Sequence, residues 1–259
     1  MSEEIIAEIR KDYIYNLARK GERVDSRAFD QYREILVETG VISKAEGSAR
    51  VKIGNTQVMV GIKIQPGEPF PDTPNQGVIV TNVELVPLAS PLFEPGPPDE
   101  NATELARVVD RGVRESGAID LDKLCIIPGE KVWMVFIDVH VLDHDGNLMD
   151  ASALGTIAAL KNARVPAKKF GLGEDFPLPL RDLPVAVTAV VLNGAILLDP
   201  NLDEEHIAAG KLTVISNSRG DLAGLQKSGS ALLSPEQVLK IVELACKKAQ
   251  EIRSKYLEG

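Results

Sequence analysis

The sequence predicts an α+β fold made of two similar βαβα halves around one core. Twice along the chain, β-type stretches separated by tight-turn dipeptides lead into a helical stretch. With 259 residues, 44% of them hydrophobic, the chain has enough apolar side chains for a large core. Because no Ser/Gly linker or charge run separates the halves, we expect one domain over 1–259, with a helix at 1–20 and halves at about 21–165 and 166–259.

Apolar residues at helical spacing predict the N-terminal helix, whose apolar face would be Ile5, Ile6, Ile9, Tyr13 and Leu17. Alternation and β-type composition predict the strands of the first half, which are 35–37, 49–53, 57–64, 77–88 and 133–142. Two dipeptides, Gly54-Asn55 and Asp145-Gly146, have the composition of tight turns. The prolines between 65 and 98 indicate surface loops on both sides of the fourth strand. The helices predicted in this half are 99–116 and 149–163.

The second half repeats this arrangement. Its predicted strands are 185–192, 195–198 and 211–216, and Asn193-Gly194 forms the turn between the first two. Ser234 is a good N-cap residue and Pro235 suits the first turn of a helix, so a long helix is expected from there to Tyr256.

Charge and cysteine content limit the possible functions. A formal net charge of −9 disfavours nonspecific attraction to nucleic acid, so such binding would need a local basic patch. The two cysteines, Cys125 and Cys246, are expected to be buried free thiols in a reducing compartment. The N-terminus has acidic residues where a signal peptide needs positive charge, and no apolar run approaches the ~20 residues of a membrane span. We therefore expect a cytoplasmic protein.

Three groups of residues carry a resemblance to a known family. They are Arg23, Asp25 and Arg27, then Gly47-Ser48, then Gly54-Asn55-Thr56. From about Asp12 to the last helix, the chain resembles the RNase PH family of phosphate-dependent exoribonucleases. The resemblance implies an RNase PH-like fold whose first half is similar to a ribosomal-protein S5 domain. Active members let inorganic phosphate attack the 3′-terminal phosphodiester of RNA, with phosphate, a divalent cation and the RNA backbone each held by a separate group of residues. The marker residues themselves suit structural roles in turns and close backbone contacts.

The phosphate group of residues is changed. In active relatives, phosphate binds a turn of the type Asp-Gly-Gly-Thr-Arg-Thr that opens a helix. Here the matching turn reads Asp145-Gly146-Asn147-Leu148-Met149-Asp150. Leucine and methionine cannot donate hydrogen bonds to an anion, and Asp150 would repel one. We expect no phosphate site.

The metal carboxylates are also altered. Active relatives have two aspartates six residues apart after an apolar strand and another acid further on. This chain has Asp199 and Glu205 at the first two places and Lys211 at the third. A lysine there opposes a divalent cation without excluding it, so a solvated acidic turn is favoured over a metal site. His140 and His144 straddle what reads as a hairpin tip and are expected to be structural rather than metal ligands.

Arginines mark the expected RNA contact. Glu100 and Asn101 hold the places of consecutive arginines in active relatives. Further along the same helix, Arg107, Arg111 and Arg114 share one face at i, i+4 and i+7, where they could grip successive phosphates.

The same three arginines leave two other possibilities open. They could pair with acids of a neighbouring subunit, or form a solvent-exposed stripe with Asp110 and Glu115 as local partners. The resemblance favours RNA binding and a subunit boundary.

Three changed groups at one site predict a family member with no catalytic residues, no metal site and no cofactor. The chain is most similar to the non-catalytic RNase PH-like subunits of the archaeal exosome. That resemblance implies a hexameric ring of three heterodimers, each pairing this chain with a catalytic RNase PH-like subunit, with single-stranded RNA in the channel and S1- or KH-domain cap subunits on one face. The alternatives are an active phosphate-dependent 3′-5′ exoribonuclease that uses Asp199 and Glu205, or an S5-like RNA-binding module without a ring.

Overall fold

The computed structural model describes the backbone of residues 2–208 and 210–258, and side chains from residue 10 onward. The helices are α1 (Ser2–Lys20), α2 (Glu100–Glu115), α3 (Leu148–Asn162), α4 (Leu202–Ile207) and α5 (Pro235–Tyr256). The strands are β1 (Ile35–Thr39), β2 (Gly47–Ile53), β3 (Thr56–Gly67), β4 (Val78–Leu85), β5 (Cys125–Ile127), β6 (Lys131–Asp143), β7 (Arg164–Val165), β8 (Phe176–Pro177), β9 (Val185–Leu192), β10 (Ala195–Leu198), β11 (Gly210–Ser216) and β12 (Leu222–Gly229). Every predicted strand and helix is present, within a few residues at each end. The sequence did not predict α4, β5, β7, β8 or β12.

Two main sheets form the fold. In the first, the strand order is β1-β2-β3-β6-β4, with β5 also paired to β6. Neighbours are antiparallel except for β4 and β6, which are parallel. The second sheet has the antiparallel order β10-β9-β11-β12. Helices follow the strands in each half, which agrees with the α+β prediction.

Helix α3 lies at the centre of the core. It packs against β2 and β3 on the first sheet and against β9 on the second. Two glycines permit this close packing: a Cβ on Gly155 would lie 2.9 Å from Val60, and a Cβ on Gly47 would lie 2.5 Å from the Ala159 carbonyl oxygen. Helix α5 covers β9 and β11, and α2 packs against β4 and α3. The start of α3 therefore lies where the two halves meet.

Helix α1 packs through a different face from the one predicted. Ile14 and Ala18 are buried in a small cluster with residues of β9, β10 and α4. Tyr13, expected on the packed face, is 59% exposed, and Leu17 is half-buried. The other predicted positions lie outside the described side chains: Ile5, Ile6 and Ile9.

Two further predictions concern the cysteines and the membrane. Cys125 and Cys246 are free, as expected, but each is only partly buried. In the described ranges, no helix combines the length and apolar character needed to cross a bilayer.

Candidate functional site

Asp199 is fully buried directly after β10, so the solvated acidic turn expected from the sequence is wrong at this residue. Its Oδ2 accepts hydrogen bonds from Arg27 Nη1 at 2.9 Å, from the Arg33 backbone N–H at 2.8 Å and from Arg33 Nε at 2.9 Å. Its Oδ1 accepts from Arg33 Nη2 and from Asn147 Nδ2, both at 2.7 Å. Both carboxylate oxygens are therefore occupied by donors from the first half of the chain.

These contacts set the charge state of Asp199 and its suitability as a metal ligand. Burial by itself raises the pKa of the Asp199 carboxyl, but the hydrogen bonds and positive charge of Arg33 outweigh it and leave this pKa below its ordinary value. A cation at Asp199 would have to displace these donors and approach two guanidinium groups. Within the described part of the chain, no group of three or more His, Cys, Asp or Glu side chains is placed to hold a metal ion.

Glu204 is a second buried acid in the same segment. Two nitrogens of the Arg23 guanidinium donate to its carboxylate, Nε at 2.9 Å and Nη2 at 2.5 Å. Both side chains are almost completely buried. Arg23 also donates to the carbonyl oxygens of Leu198 and Asp199. Glu204 completes a capping box with Asn201 at the start of α4. The acids after β10 thus join the two halves.

The side-chain carboxylate of Glu205, a residue of α4, lies at the start of α3. Its Oε1 accepts the backbone N–H of Asn147 at 3.1 Å and lies 3.5 Å from Lys211 Nζ. Asn147 is the N-cap residue of α3 and has a left-handed backbone conformation. Leu148 is half-buried, and Met149 belongs to the hydrophobic core. The chain's own carboxylate therefore binds the N–H at the turn that the resemblance assigns to phosphate.

Asp150 turns away from that position into the core. It is buried, and it accepts hydrogen bonds from Tyr32 Oη at 2.5 Å, Asn147 Nδ2 at 2.8 Å, and the N–H and hydroxyl of Thr188 at 3.0 and 2.7 Å. Burial raises the pKa of Asp150 to about 6 although these hydrogen bonds oppose the rise. Because this pKa exceeds the ordinary value of 3.8, ionised Asp150 costs stability at neutral pH, and its contribution becomes more favourable as the pH falls through about 6.

Three of the residues that carry the family resemblance, Gly54, Asn55 and Thr56, position the turn before α3. Thr56 is fully buried, donates to the Gly146 carbonyl oxygen at 2.6 Å and accepts from the Asp145 N–H at 3.0 Å. Asn55 Nδ2 donates to Asp145 Oδ2 at 3.1 Å. Gly54, with a φ of 59°, provides the left-handed residue of the β2–β3 turn. Their role in this structure is to position the start of α3.

Sequence reasoning missed several members of this cluster. Tyr32, Arg33, Asn147 and Thr188 meet at Asp150 and Asp199 from segments more than 30 residues apart. The available signals were Arg33, a single arginine two residues before β1, and Asn147, which suits a left-handed N-cap. Neither signal identifies its partner.

The histidines have structural contacts. His140 Nδ1 lies 3.2 Å from a carboxylate oxygen of Glu84 on the neighbouring strand. His144 stacks on Phe93 with ring centroids 5.4 Å apart, and its Nδ1 accepts from the Gly146 N–H. Burial lowers the pKa of His144. His140 lies within β6 and His144 directly follows that strand, and the turn after them joins β6 to α3, so the expected hairpin tip between the two histidines is wrong.

Helix α2 presents its three arginines to solvent, but not equally. Arg114 donates to both oxygens of Asp110 at 3.1 and 3.2 Å, and no ion pair with Glu115 is present in the described region. Arg111 Nη2 donates to Gln226 Oε1 at 3.2 Å. Arg107 makes no hydrogen bond or ion pair with another described residue. Two of the three guanidiniums thus remain available to a ligand.

Arg107 and Arg111 line an open groove between α2 and β12. Asp99 is the N-cap residue of α2, and its Oδ1 accepts the Ala102 N–H at 2.7 Å. This contact holds the start of the helix at one end of the groove. The other polar residues of the groove are Glu100, Thr103, Glu104 and Gln226. Among the described lining residues, three acids (Asp99, Glu100 and Glu104) accompany the two arginines, so a phosphate could be bound only by the guanidiniums of Arg107 and Arg111 and away from those carboxylates.

Three proteins from archaeal exosomes are similar to this chain over nearly its full length. An exosome complex component Rrp42 from Methanocella arvoryzae is 69% identical, covering 100% of this chain and 99% of its own. A chain in the structure of an Archaeoglobus fulgidus exosome with RNA bound to the active site is 53% identical, with a TM-score of 0.95 over 97% of this chain and 99% of its own. A chain of an archaeal exosome core is 49% identical, with a TM-score of 0.92 over 98% and 99% of the two chains.

Two family models match successive parts of the chain. Residues 31–166 match domain 1 of the 3′ exoribonuclease family, and residues 182–248 match domain 2. The segment between the matches contains the β8 strand and the approach to β9. Together with full-length identity to the relatives above, these matches show that the chain belongs to the 3′ exoribonuclease, or RNase PH, family and has its fold.

Proposed function

We propose that this chain is a non-catalytic subunit of an archaeal exosome that pairs with a catalytic RNase PH-like subunit in a hexameric ring of three heterodimers. The observation that carries the proposal is Asp199. At the place where the resemblance puts a metal-binding aspartate, both carboxylate oxygens are bound by Arg27, Arg33 and Asn147. Its role is to hold the halves together.

The start of α3 supports the same proposal. Glu205 binds the N–H of Asn147, and a phosphate at this place would meet that negative charge. Leu148 and Met149 offer it no side-chain donor. An active exoribonuclease that uses Asp199 and Glu205 would therefore have to open two existing sets of contacts.

The isolated chain is expected to release no nucleoside diphosphates from RNA in the presence of inorganic phosphate, because the donors and the free carboxylates for phosphorolysis are lacking. The measurement is chromatography of products after incubation with a 3′-labelled single-stranded RNA. The positive control is the complex with the catalytic partner. Phosphate-dependent shortening by the isolated chain that disappears in a folded Glu205→Gln variant would instead establish the active-enzyme alternative.

The proposed RNA contacts are Arg107, Arg111 and Arg114, with the first two contributing most because Asp110 already binds Arg114. In the intact ring, the Arg107→Glu/Arg111→Glu variant is expected to weaken RNA binding. Each lost phosphate contact should reduce the slope of log affinity against log salt concentration by roughly 0.7. Fluorescence anisotropy at several salt concentrations measures both quantities.

Arg219→Glu is a matched control, because Arg219 is an exposed arginine paired with Asp221 on a different loop. It should leave the affinity and the slope unchanged. Equal affinity of the double variant in an intact ring would contradict RNA binding by α2, whereas dissociation of the ring would assign these arginines to the subunit boundary.

The remaining partners follow from the same proposal. We place cap subunits with S1 or KH domains on one face of the ring, single-stranded RNA in its channel, and the complex in the cytoplasm. The mass of the complex isolated from its native source tests the composition directly.

A further inference from the structure

Glu104 is the acid one turn before Arg107 on α2, whereas the nearby Asp110 is bound by Arg114. It precedes Arg107 by three residues, a spacing at which glutamate and arginine commonly pair on a helix. Such a pair would neutralise the guanidinium that has no other partner among the described residues. The structure shows a different contact. Glu104 Oε1 accepts hydrogen bonds from Gln226 Nε2 at 2.8 Å and Ser228 Oγ at 2.5 Å, both on β12.

The amide of Gln226 makes a second contact at its other end. Its Oε1 accepts from Arg111 Nη2 at 3.2 Å while its Nε2 donates to Glu104. An amide is neutral and has a donor and an acceptor on opposite atoms, so it can bind a carboxylate and a guanidinium simultaneously. A charged residue at this position would repel one of the two.

We propose that Gln226 is a positioning residue for RNA binding by α2: its amide binds Glu104, which keeps that carboxylate from pairing with Arg107, and it orients Arg111 along the groove. This inference rests on the proposed function, because it assumes that Arg107 and Arg111 contact RNA. Ser228 assists by binding the same carboxylate. The interaction depends on β12, the edge strand of the second sheet.

The test uses the full-length chain in its ring with the catalytic partner and a fluorescein-labelled single-stranded oligoadenylate as the probe. Gln226→Ala releases one donor from Glu104, and we expect RNA affinity to fall about threefold to tenfold, with tenfold corresponding to about 1.4 kcal/mol. Gln226→Glu places a carboxylate beside Arg111 and should weaken binding further. Ser228→Ala should act in the same direction with a smaller effect.

The double variant Glu104→Gln/Gln226→Ala distinguishes positioning from a general structural role. Removing the competing carboxylate should restore the affinity lost in Gln226→Ala, because Glu104 can then no longer pair with Arg107 and Asp110 is already bound by Arg114. Gln76→Ala is the matched control: its amide binds Asp122 at 3.1 Å away from the groove, and it should have no effect.

Two results would overturn the inference. One is an unchanged affinity in both Gln226 variants with an intact ring; the other is a loss of affinity that Glu104→Gln does not restore. Failure of the proposed function gives a different pattern, in which Arg107→Glu/Arg111→Glu also binds RNA normally. The mass and melting temperature of each ring identify any variant that acts by unfolding. If a Gln226 variant unfolds, the RNA affinity of Ser228→Ala decides instead, because Ser228 binds the same Glu104 carboxylate.

Discussion

Replacing Asp199 with alanine is expected to lower the free energy of unfolding by about 3–5 kcal/mol, since it removes the buried partner of two nearly buried arginines. Arg27 and Arg33 each have only 9% of their side chain exposed, and their other acids, Asp25 and Asp145, are about one-third exposed. Typical domains have about 5–15 kcal/mol of stability, so the loss would be a large fraction of the total. Alanine would also adopt the left-handed backbone of Asp199 poorly.

Chemical denaturation followed by circular dichroism measures this effect. Asp199→Asn separates charge from backbone strain, because asparagine tolerates the left-handed conformation and has nearly the same shape. It should lose less than alanine but still substantially, since it removes the negative charge between two guanidiniums. Asp203→Asn is the matched control on the same segment: its ion pair with Arg10 is exposed, so its loss should cost less than about 1 kcal/mol. A change of that small size in Asp199→Ala would show that the cluster does not stabilise the fold.

This cluster explains why the family markers are present beside an altered site. Arg23 and Arg27 bind acids of the second half, and Thr56 and Asn55 position the turn before α3. None of these contacts requires phosphate or a metal ion. The markers identify the fold, whereas the residues at 148 and 149, which the resemblance assigns to phosphate binding, are apolar here. Resemblance in the first group is therefore compatible with a loss of chemistry in the second.

The parts of the fold that sequence predicted best are fixed by local interactions. Asp99 caps α2, and Ser234 caps α5 in a capping box. Asn193, with a positive φ, forms the turn between β9 and β10. Each signal involves residues within a few positions of one another, so these helix starts and this turn can be predicted from a short stretch of sequence. The alternating burial of β6 is similarly local.

The parts that sequence did not predict depend on distant partners. Strand β12 contains two glycines and no β-branched residue, and it forms because β11 supplies its hydrogen bonds. Asp199 and Glu204 read as solvated because charged residues usually are, yet their arginine partners lie more than 160 residues earlier. The same limit applies to Gln226 and Glu104, which meet only when the second sheet packs beside α2.

Mixing this chain with its catalytic RNase PH-like partner is expected to give a stable complex with three copies of each, and to raise phosphorolysis by roughly tenfold or more over the partner alone, equivalent to about 1.4 kcal/mol or more in the activation barrier. The physical reason is that the partner's site would lie near a boundary to which this chain adds Arg107 and Arg111. A fold that keeps its core and the ion pairs between its two halves is well suited to the non-catalytic role proposed above. Native mass spectrometry and the rate of nucleoside diphosphate release measure the two effects.

The Arg107→Glu/Arg111→Glu variant separates assembly from RNA binding in this experiment. If the arginines act on RNA, the variant should still form the ring but stimulate phosphorolysis much less at low RNA concentration, where binding limits the rate. At saturating RNA the difference should shrink, because weaker binding raises KM more than it lowers kcat. A catalytic subunit that assembles and degrades RNA equally well without this chain would show that the chain is not needed for the site. In that case the contacts of Asp199 and Glu205 would explain only the stability of an inactive fold.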